Sequence, residues 1–125
     1  MSLCLVGAGK TVQIAVAAFT LAWTHTVERT RWEEDWQVLP EGLMLVEARV
    51  EATGAGMEPP PEARFDGRWW HWRPSGMVLP QLVLRRAPGA GDWRFCTHEG
   101  CQEIGSLLDS DPVTLSACED GGPRR

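Results

Sequence analysis

His25 and Glu34 are the two residues of this chain whose types and spacing point most directly to chemistry. They lie in two runs of alternating apolar and polar residues joined by a charged turn, which predicts an antiparallel hairpin over 19–38. With the turn centred on Arg29-Thr30, the histidine faces the glutamate on an otherwise apolar surface. Such a pair suits a general base, a proton-linked switch or an anion site. It equally suits a structural pair that orders the sheet.

The same register predicts the other opposing pairs of the hairpin. The pairs expected on the apolar face are Leu21–Val38, Trp23–Trp36 and Val27–Trp32. The pairs expected on the other face are Thr24–Asp35 and Glu28–Arg31. A slip of one residue would send the whole apolar set to solvent, so burial of that face favours this register.

A second candidate binding element is the segment Gly54-Ala55-Gly56-Met57, at the start of a long Gly- and Pro-rich connection over 54–67. Two glycines two residues apart permit positive φ and a close approach of backbone N–H groups to an anion. The same spacing serves any tight bend, and the segment lacks the longer glycine fingerprints of phosphate-binding loops.

The run Trp69-Trp70-His71-Trp72 predicts a strand with Trp70 and Trp72 on one face and Trp69 and His71 on the other. One of these faces must belong to the core. The other face could line a groove that takes a cation or a sugar ring, or the strand could be buried on both sides.

The four cysteines are compatible with two disulfides or with four reduced thiols. Cys96 and Cys101 would face each other across a tight hairpin, and Cys4 and Cys118 lie near the two ends, where terminal strands could be neighbours. That pairing is the natural one geometrically, although three pairings are possible. His98 lies between two of the cysteines, but structural zinc needs four ligands. We therefore expect no metal and no cofactor.

Composition sets the class of protein. A chain of 125 residues predicts a single domain, here 1–118, followed by a disordered tail over 119–125.

The formal net charge of −5, with basic residues scattered among acids, argues against nucleic acid as a partner. No apolar run approaches the roughly 18 residues of a membrane helix, so no membrane span is expected. Ala15-Val16-Ala17 resembles a signal-peptide cleavage site, but the surrounding residues fit strand, turn and strand better.

Short β-like segments separated by Gly and Pro predict an all-β domain, a small antiparallel barrel or sandwich built from hairpins, with the barrel preferred. After the turn at 39–42, alternation places Met44, Val46, Ala48 and Val50 on the core face. A helical turn is expected only at 104–109. The predicted strands are 3–6, 11–16, 19–27, 32–38, 43–50, 68–73, 81–86, 92–97, 101–104 and 113–117.

Several motifs together resemble the bacterial domain of unknown function 1850 family. They are Trp-Thr-His-Thr-Val-Glu-Arg-Thr at 23–30, Glu33-Glu34-Asp35, Gly-Ala-Gly-Met at 54–57, and the late pair Cys96 and Cys101. The family typically has His-Ser-Val-Glu-Lys-Thr, then an acidic strand, then Gly-Ala-Gly-Leu or Gly-Ala-Gly-Met. Thr26 and Arg29 replace the usual Ser and Lys, and the resemblance spans most of the chain.

The resemblance implies a context rather than a reaction. Members are often encoded beside TRAP-type transporters, many carry an N-terminal hydrophobic leader, and the family has no established activity. By position, the motif residues His25, Glu28, Glu34 and Gly54 to Met57 become the candidate ligand-binding residues.

We therefore predict a non-enzymatic accessory or ligand-binding protein associated with TRAP-type organic-acid uptake. His25 and the loop at 54–57 would hold a carboxylate-bearing small molecule or a transporter subunit's loop, and Glu34 would orient His25. The alternatives are a small enzyme with His25 as general base, and a purely structural interaction module. The compartment stays open, because the lack of a clear leader favours the cytoplasm while the cysteines and the resemblance favour an extracytoplasmic location.

Overall fold

The computed structural model describes residues 1–25, 30–51, 59–74, 76–86 and 92–120, and for His25 the backbone alone. Within these residues the chain forms twelve strands and one short helix. The elements are β1 (Ser2–Gly7), β2 (Lys10–Ile14), β3 (Ala18–His25), β4 (Thr30–Leu39), β5 (Gly42–Glu51), β6 (Arg64–Phe65), β7 (Trp69–Trp72), β8 (Val78–Leu79), β9 (Leu82–Leu84), β10 (Arg94–Thr97), β11 (Gly100–Glu103), α1 (Ile104–Leu107) and β12 (Val113–Cys118).

The strands form two antiparallel sheets. The smaller sheet has the order β2-β1-β12-β9. The larger sheet has the order β11-β10-β3-β4-β5-β7-β6, and β8 also pairs with β5. The all-β prediction is confirmed. Within the described residues the sheets do not close into a barrel, so the preference for a barrel was wrong. The two sheets are compatible with the sandwich that was the other predicted architecture.

Both sheets contribute to one hydrophobic core. The fully buried side chains come from the centre of each sheet and from the helical turn, because these are the positions that both layers cover. They include Leu3, Leu5, Leu21, Phe95, Ile104, Val113 and Leu115. Phe19 stacks on Phe95 across β3 and β10 with ring centroids 5.4 Å apart.

Every strand predicted from the sequence is present, with ends that differ by a few residues, and the helical turn is α1. The two-residue strands β6 and β8 were not predicted, because two residues show no periodicity. The position of β8 depends on Gly42, whose φ is +149°. A Cβ on this residue would overlap the backbone carbonyl of Leu79, so a glycine lets β8 lie against the start of β5.

The register predicted for the first long hairpin is wrong by four residues. Leu21 faces Glu34 instead of Val38, and His25 faces Thr30 instead of Glu34. Trp23 is opposite Trp32, and their rings stack at 6.0 Å. Alternation could not detect the error, because a shift by an even number of residues keeps every apolar side chain on the same face. Thr30, assigned to the turn from the sequence, is the first residue of β4.

A β-bulge changes which side chains of β5 face the core. Asp35 pairs with Glu47 but Trp36 pairs with Leu45, so Val46 is the extra residue. Ala48 and Val50 are buried, as predicted. Before the bulge the alternation is reversed, and Leu43 and Leu45 rather than Met44 and Val46 pack against the core. Strict period-two counting fails at a bulge because one residue is inserted into the ladder.

Two disulfides join strands that are neighbours in the sheets. Cys4 in β1 is bonded to Cys118 in β12, and Cys96 is bonded to Cys101 across the β10–β11 hairpin. Neither pair is available as reduced thiols or thiolate ligands. Asp120, assigned to the tail from the sequence, accepts a 2.6 Å hydrogen bond from the Ser2 hydroxyl, while 121–125 lie outside the described residues. In the part of the chain described, no helix has the length and apolar character needed to cross a bilayer.

Candidate functional site

The larger sheet has two chemically different faces. Because side chains alternate along a strand, Glu33 and Asp35 of β4 lie on one face and Glu34 and Trp36 lie on the other. We call the first the charged face, which carries Thr20, Arg31, Glu33, Asp35, Glu47, Arg49 and His71. We call the second the core face, which carries Leu21, Trp23, Trp32, Glu34, Ala48, Val50 and Trp72.

Arg49 is the centre of the charged face. Its two terminal nitrogens donate to the two oxygens of Asp35 at 2.8 and 3.0 Å, a bidentate pair. Its Nε donates to Glu33 at 2.7 Å, and one terminal nitrogen also donates to Glu47 at 3.0 Å. Thr20 adds a 2.7 Å hydrogen bond to Asp35. Burial opposes ionisation of Asp35, but the hydrogen bonds from Arg49 and Thr20 outweigh it and hold the pKa of Asp35 below its ordinary value.

His71 extends this network to the edge of the sheet. Its Nε2 lies 2.5 Å from Asp66, and its Nδ1 lies 3.2 Å from Glu47. The hydrogen bond to Asp66, helped by Glu47, raises the pKa of His71 above its ordinary value. Backbone N–H donation from Trp69, with the bond to His71, lowers the pKa of Asp66. Each of these charged groups has a protein partner, which suits a structural network.

The core face borders an apolar cleft with a volume of about 340 Å³. One wall consists of residues from β3, β4 and β5, and the other consists of the segment 77–84 with Trp93. The first wall has Leu21, Glu34, Trp36 and Leu45. Met77 and Val83 on the second wall are 53% and 50% exposed, so the cleft has an apolar opening.

Glu34 is the single charged residue among those that line this cleft. One of its oxygens accepts a 3.2 Å hydrogen bond from the Trp36 indole N–H. Burial raises the pKa of Glu34, and the Trp36 hydrogen bond only partly offsets that effect. Within the described residues no cation lies at ion-pair distance from this carboxyl. Its neighbours across the strands, Leu21 and Ala48, are both apolar.

Tryptophans border the same region. Trp36 and Trp93 line the cleft, and Trp93 lies 4.7 Å from Trp23 between ring centroids. The row continues from Trp23 to Trp32, which stacks on it, and then to Trp72, which forms a T-shaped pair with Trp32. The indole N–H of Trp93 donates to the backbone carbonyl of Arg85 at 2.9 Å, and that of Trp36 donates to Glu34. Both indole donors are therefore used inside the protein.

A family model, Domain of unknown function (DUF1850), matches residues 19–104. The chain belongs to this family. The match covers all the residues that line the cleft and all those of the Arg49 and His71 networks. No significant match was found among curated proteins or among solved structures.

The structure of this DUF1850 protein separates the two residues first proposed as a pair. The backbone of His25 is paired with Thr30, so the observed register places His25 and Glu34 four residues apart along the hairpin, or roughly 13 Å. Glu34 therefore belongs to the cleft and not to a dyad with His25. Glu28 and the segment Gly54 to Met57 lie outside the described residues, so their proposed roles stay predictions.

The strand at 69–72 lies in the sheet with the faces expected for it. His71 faces the same side as its neighbour Arg49. On the core face, Trp70 lies 5.0 Å from Phe65 between ring centroids, and Trp72 forms a T-shaped pair with Trp32. His71 is held by carboxylates there, which the strand pattern alone did not indicate.

Sequence reasoning missed Arg49 and Asp66. A signal for Arg49 existed, because Glu33 and Asp35 on β4 alternate in step with Glu47 and Arg49 on β5. Asp66 had no such signal, since it lies in the turn between β6 and β7. Within the described ranges, no group of three or more His, Cys, Asp or Glu residues is arranged to hold a metal ion.

Proposed function

We propose that this DUF1850 protein is a non-enzymatic binding protein and that the cleft on the core face of its larger sheet is the ligand site. The observation that supports this proposal is the cleft itself. Its volume of about 340 Å³ falls in the range of small-molecule sites, which are mostly apolar with few polar groups. A half-buried carboxyl without a cationic partner on its wall matches that description.

The family resemblance supports an accessory role beside a TRAP-type uptake system for organic acids, with a transporter subunit as partner. The two disulfides support an extracytoplasmic location, since such bonds persist in oxidising compartments. A carboxylate-bearing ligand held by His25 and the loop at 54–57 remains the alternative ligand proposal.

The enzymatic alternative is less well supported. It required Glu34 to orient His25 as a general base, and a base and its orienting group must lie within hydrogen-bond reach. The observed register instead pairs His25 with Thr30 in β3 and β4. The separation of His25 and Glu34 along the hairpin therefore does not support this alternative.

The ligand site can be tested by titration with a neutral probe. Hexanol, added to ¹⁵N-labelled protein, should shift the amide signals of Leu21, Leu45 and Leu84 in NMR spectra. Val83→Trp should fill the opening and abolish these shifts, because Val83 lines it and is 50% exposed. Val6→Trp is the matched control, since Val6 is an exposed valine of the same sheet, two strands from Val83, and does not line the cleft. Equal binding by both variants, or no shifts at all, would contradict the site.

The accessory role needs a separate experiment. The protein should co-purify with the membrane subunits of a TRAP-type transporter after mild cross-linking, and Val83→Trp should leave this association unchanged if the cleft serves the ligand. Absence of any such complex would remove the transporter from the proposal without affecting the cleft.

A further inference from the structure

We propose that the cleft selects a ligand with an ammonium group on an apolar body. This inference rests on the proposed function, because it names the chemical class that the same cleft takes. The observation behind it is a combination of three features in one site. These are a carboxyl without a cationic partner among the described residues, two tryptophan side chains, and apolar walls that lead to an apolar opening.

The carboxyl supplies charge complementarity. Glu34 accepts one hydrogen bond from a neutral indole, which leaves its second oxygen without a described donor. An ammonium ion would provide both the missing donor and the missing positive charge. Charge-assisted hydrogen bonds of this kind are about twice as strong as neutral ones. A ligand carboxylate would instead meet the like charge of an ionised Glu34 and no described cation on the walls.

The tryptophans add a second attraction for the same group. Trp36 and Trp93 line the cleft, and tryptophan is the aromatic side chain that attracts cations most strongly. Their N–H groups are occupied by Glu34 and by the carbonyl of Arg85, so neither indole needs a hydrogen bond from the ligand. Attraction of a cation to the face of an aromatic ring is a general means of recognising ammonium groups.

The apolar walls determine the rest of the ligand. Leu21, Leu45 and Leu79 line the interior, and Met77 and Val83 form the exposed rim. An alkyl or aryl body would bury its surface against these side chains, at roughly 25 cal/mol per Å² of apolar area removed from water. The ammonium group would then lie at Glu34 with the body extending toward the opening.

The test compares ligands with the same chain and different head groups. Hexylamine, hexanol and hexanoate are titrated into the protein at pH 7 and their dissociation constants are measured by NMR. We expect hexylamine to bind at least tenfold more tightly than hexanol, and hexanoate to bind more weakly than hexanol. The ¹³C signal of the Glu34 side-chain carboxyl should also report a lowered pKa when hexylamine is bound.

Glu34→Gln is the decisive variant, because an amide removes the charge and keeps an acceptor for the Trp36 indole. It should abolish the preference for hexylamine and leave hexanol binding unchanged. Glu41→Gln, in the exposed turn after β4, is the control and should keep the preference. Equal binding of hexylamine and hexanol to the wild type would overturn this inference and leave the proposed site standing, as would a preference that survives Glu34→Gln. Failure of all three probes to bind would overturn both proposals.

Discussion

Glu34 and Asp35 are consecutive residues of β4, yet their carboxyl groups lie on opposite faces of the larger sheet. Asp35 is held by two nitrogens of Arg49 and by Thr20, and these bonds lower its pKa despite burial. Glu34 has one neutral donor, and burial raises its pKa. Burial opposes ionisation of both groups, but among the described residues only Asp35 has a cation beside it.

This difference distinguishes a carboxyl with a structural role from a carboxyl in the proposed ligand site, within one strand. A half-buried carboxylate can stabilise the folded state when cations and hydrogen-bond donors surround it, as they do on the charged face. A carboxyl in an apolar cleft without such partners lowers stability, and its presence is explained more readily by a ligand than by folding. Neutralising Asp35 on the charged face should therefore lower stability, whereas neutralising Glu34 on the core face should raise it.

The largest effect is expected from Arg49→Met. The substitution removes the common partner of Glu33, Asp35 and Glu47 and leaves three carboxylates together on the charged face. We expect a loss of about 2–3 kcal/mol in the free energy of unfolding at pH 7, near the lower limit for breaking a buried ion pair because the site is partly exposed. Urea denaturation followed by circular dichroism measures this loss.

Arg73→Met is the matched control for that prediction. Arg73 lies 3.9 Å from Glu47, but its side chain is 79% exposed. Its removal should change the free energy of unfolding by less than about 0.5 kcal/mol. Similar losses for the two arginines would mean that the network contributes through net charge and not through its geometry.

The second largest effect is expected from Asp35→Asn. The amide cannot form the charge-assisted bidentate pair with Arg49, so stability at pH 7 should fall by about 1 kcal/mol, reduced from the value for a buried pair because Asp35 is 35% exposed. A lowered folded pKa means that Asp35 stabilises the protein above its ordinary pKa of 3.8 and loses that contribution as pH falls through the folded value. The deficit of Asp35→Asn should therefore shrink below pH 3.8. A deficit independent of pH would contradict the role of the charge.

The sequence predicted the strands, the all-β class and the separation of the two faces, because period-two alternation determines which side chains share a face. It could not predict the pairing of His25. An even slip of the hairpin leaves Leu21, Trp23 and Trp36 on the same side, so the apolar pattern fits several registers equally well. The sequence at Arg29-Thr30 is not a strong turn signal, so it could not select one of these registers.

The candidate site was predictable only in part. Glu34 stood out as an acid at an apolar position of β4, and that assignment holds. The opposite wall of the cleft comes from 77–84 and Trp93, which are distant in sequence and meet β4 only through the assembly of the sheets. Alternation along β5 predicted that Leu45 faces away from the core, and the bulge at Val46 reverses this, so the sequence pattern did not assign Leu45 to the cleft.

Glu34→Gln should raise stability, in the opposite direction to Asp35→Asn. A raised folded pKa means that ionisation opposes folding, so the wild type loses stability as pH rises from the ordinary value of 4.5 through the folded pKa. The substitution removes that loss and keeps an acceptor for Trp36. We expect a gain of about 0.5–1 kcal/mol at pH 7 that disappears below pH 4.5. A destabilised variant would contradict the conclusion that ionisation of Glu34 opposes folding.

The smallest effect is expected from His71→Gln, which tests whether the charged face responds to pH. The raised pKa of His71 means that its contribution is fully present below the ordinary value of 6.5 and is lost as pH rises through the folded pKa. Because the side chain is 31% exposed, the contribution should be only a few tenths of a kcal/mol. Thermal unfolding between pH 5 and pH 9 should show a deficit for His71→Gln at low pH that fades at high pH. His98→Gln is the control, since His98 is 82% exposed in the β10–β11 turn and should show no such trend. A deficit that persists at pH 9 would assign His71 a packing role instead of a charged one.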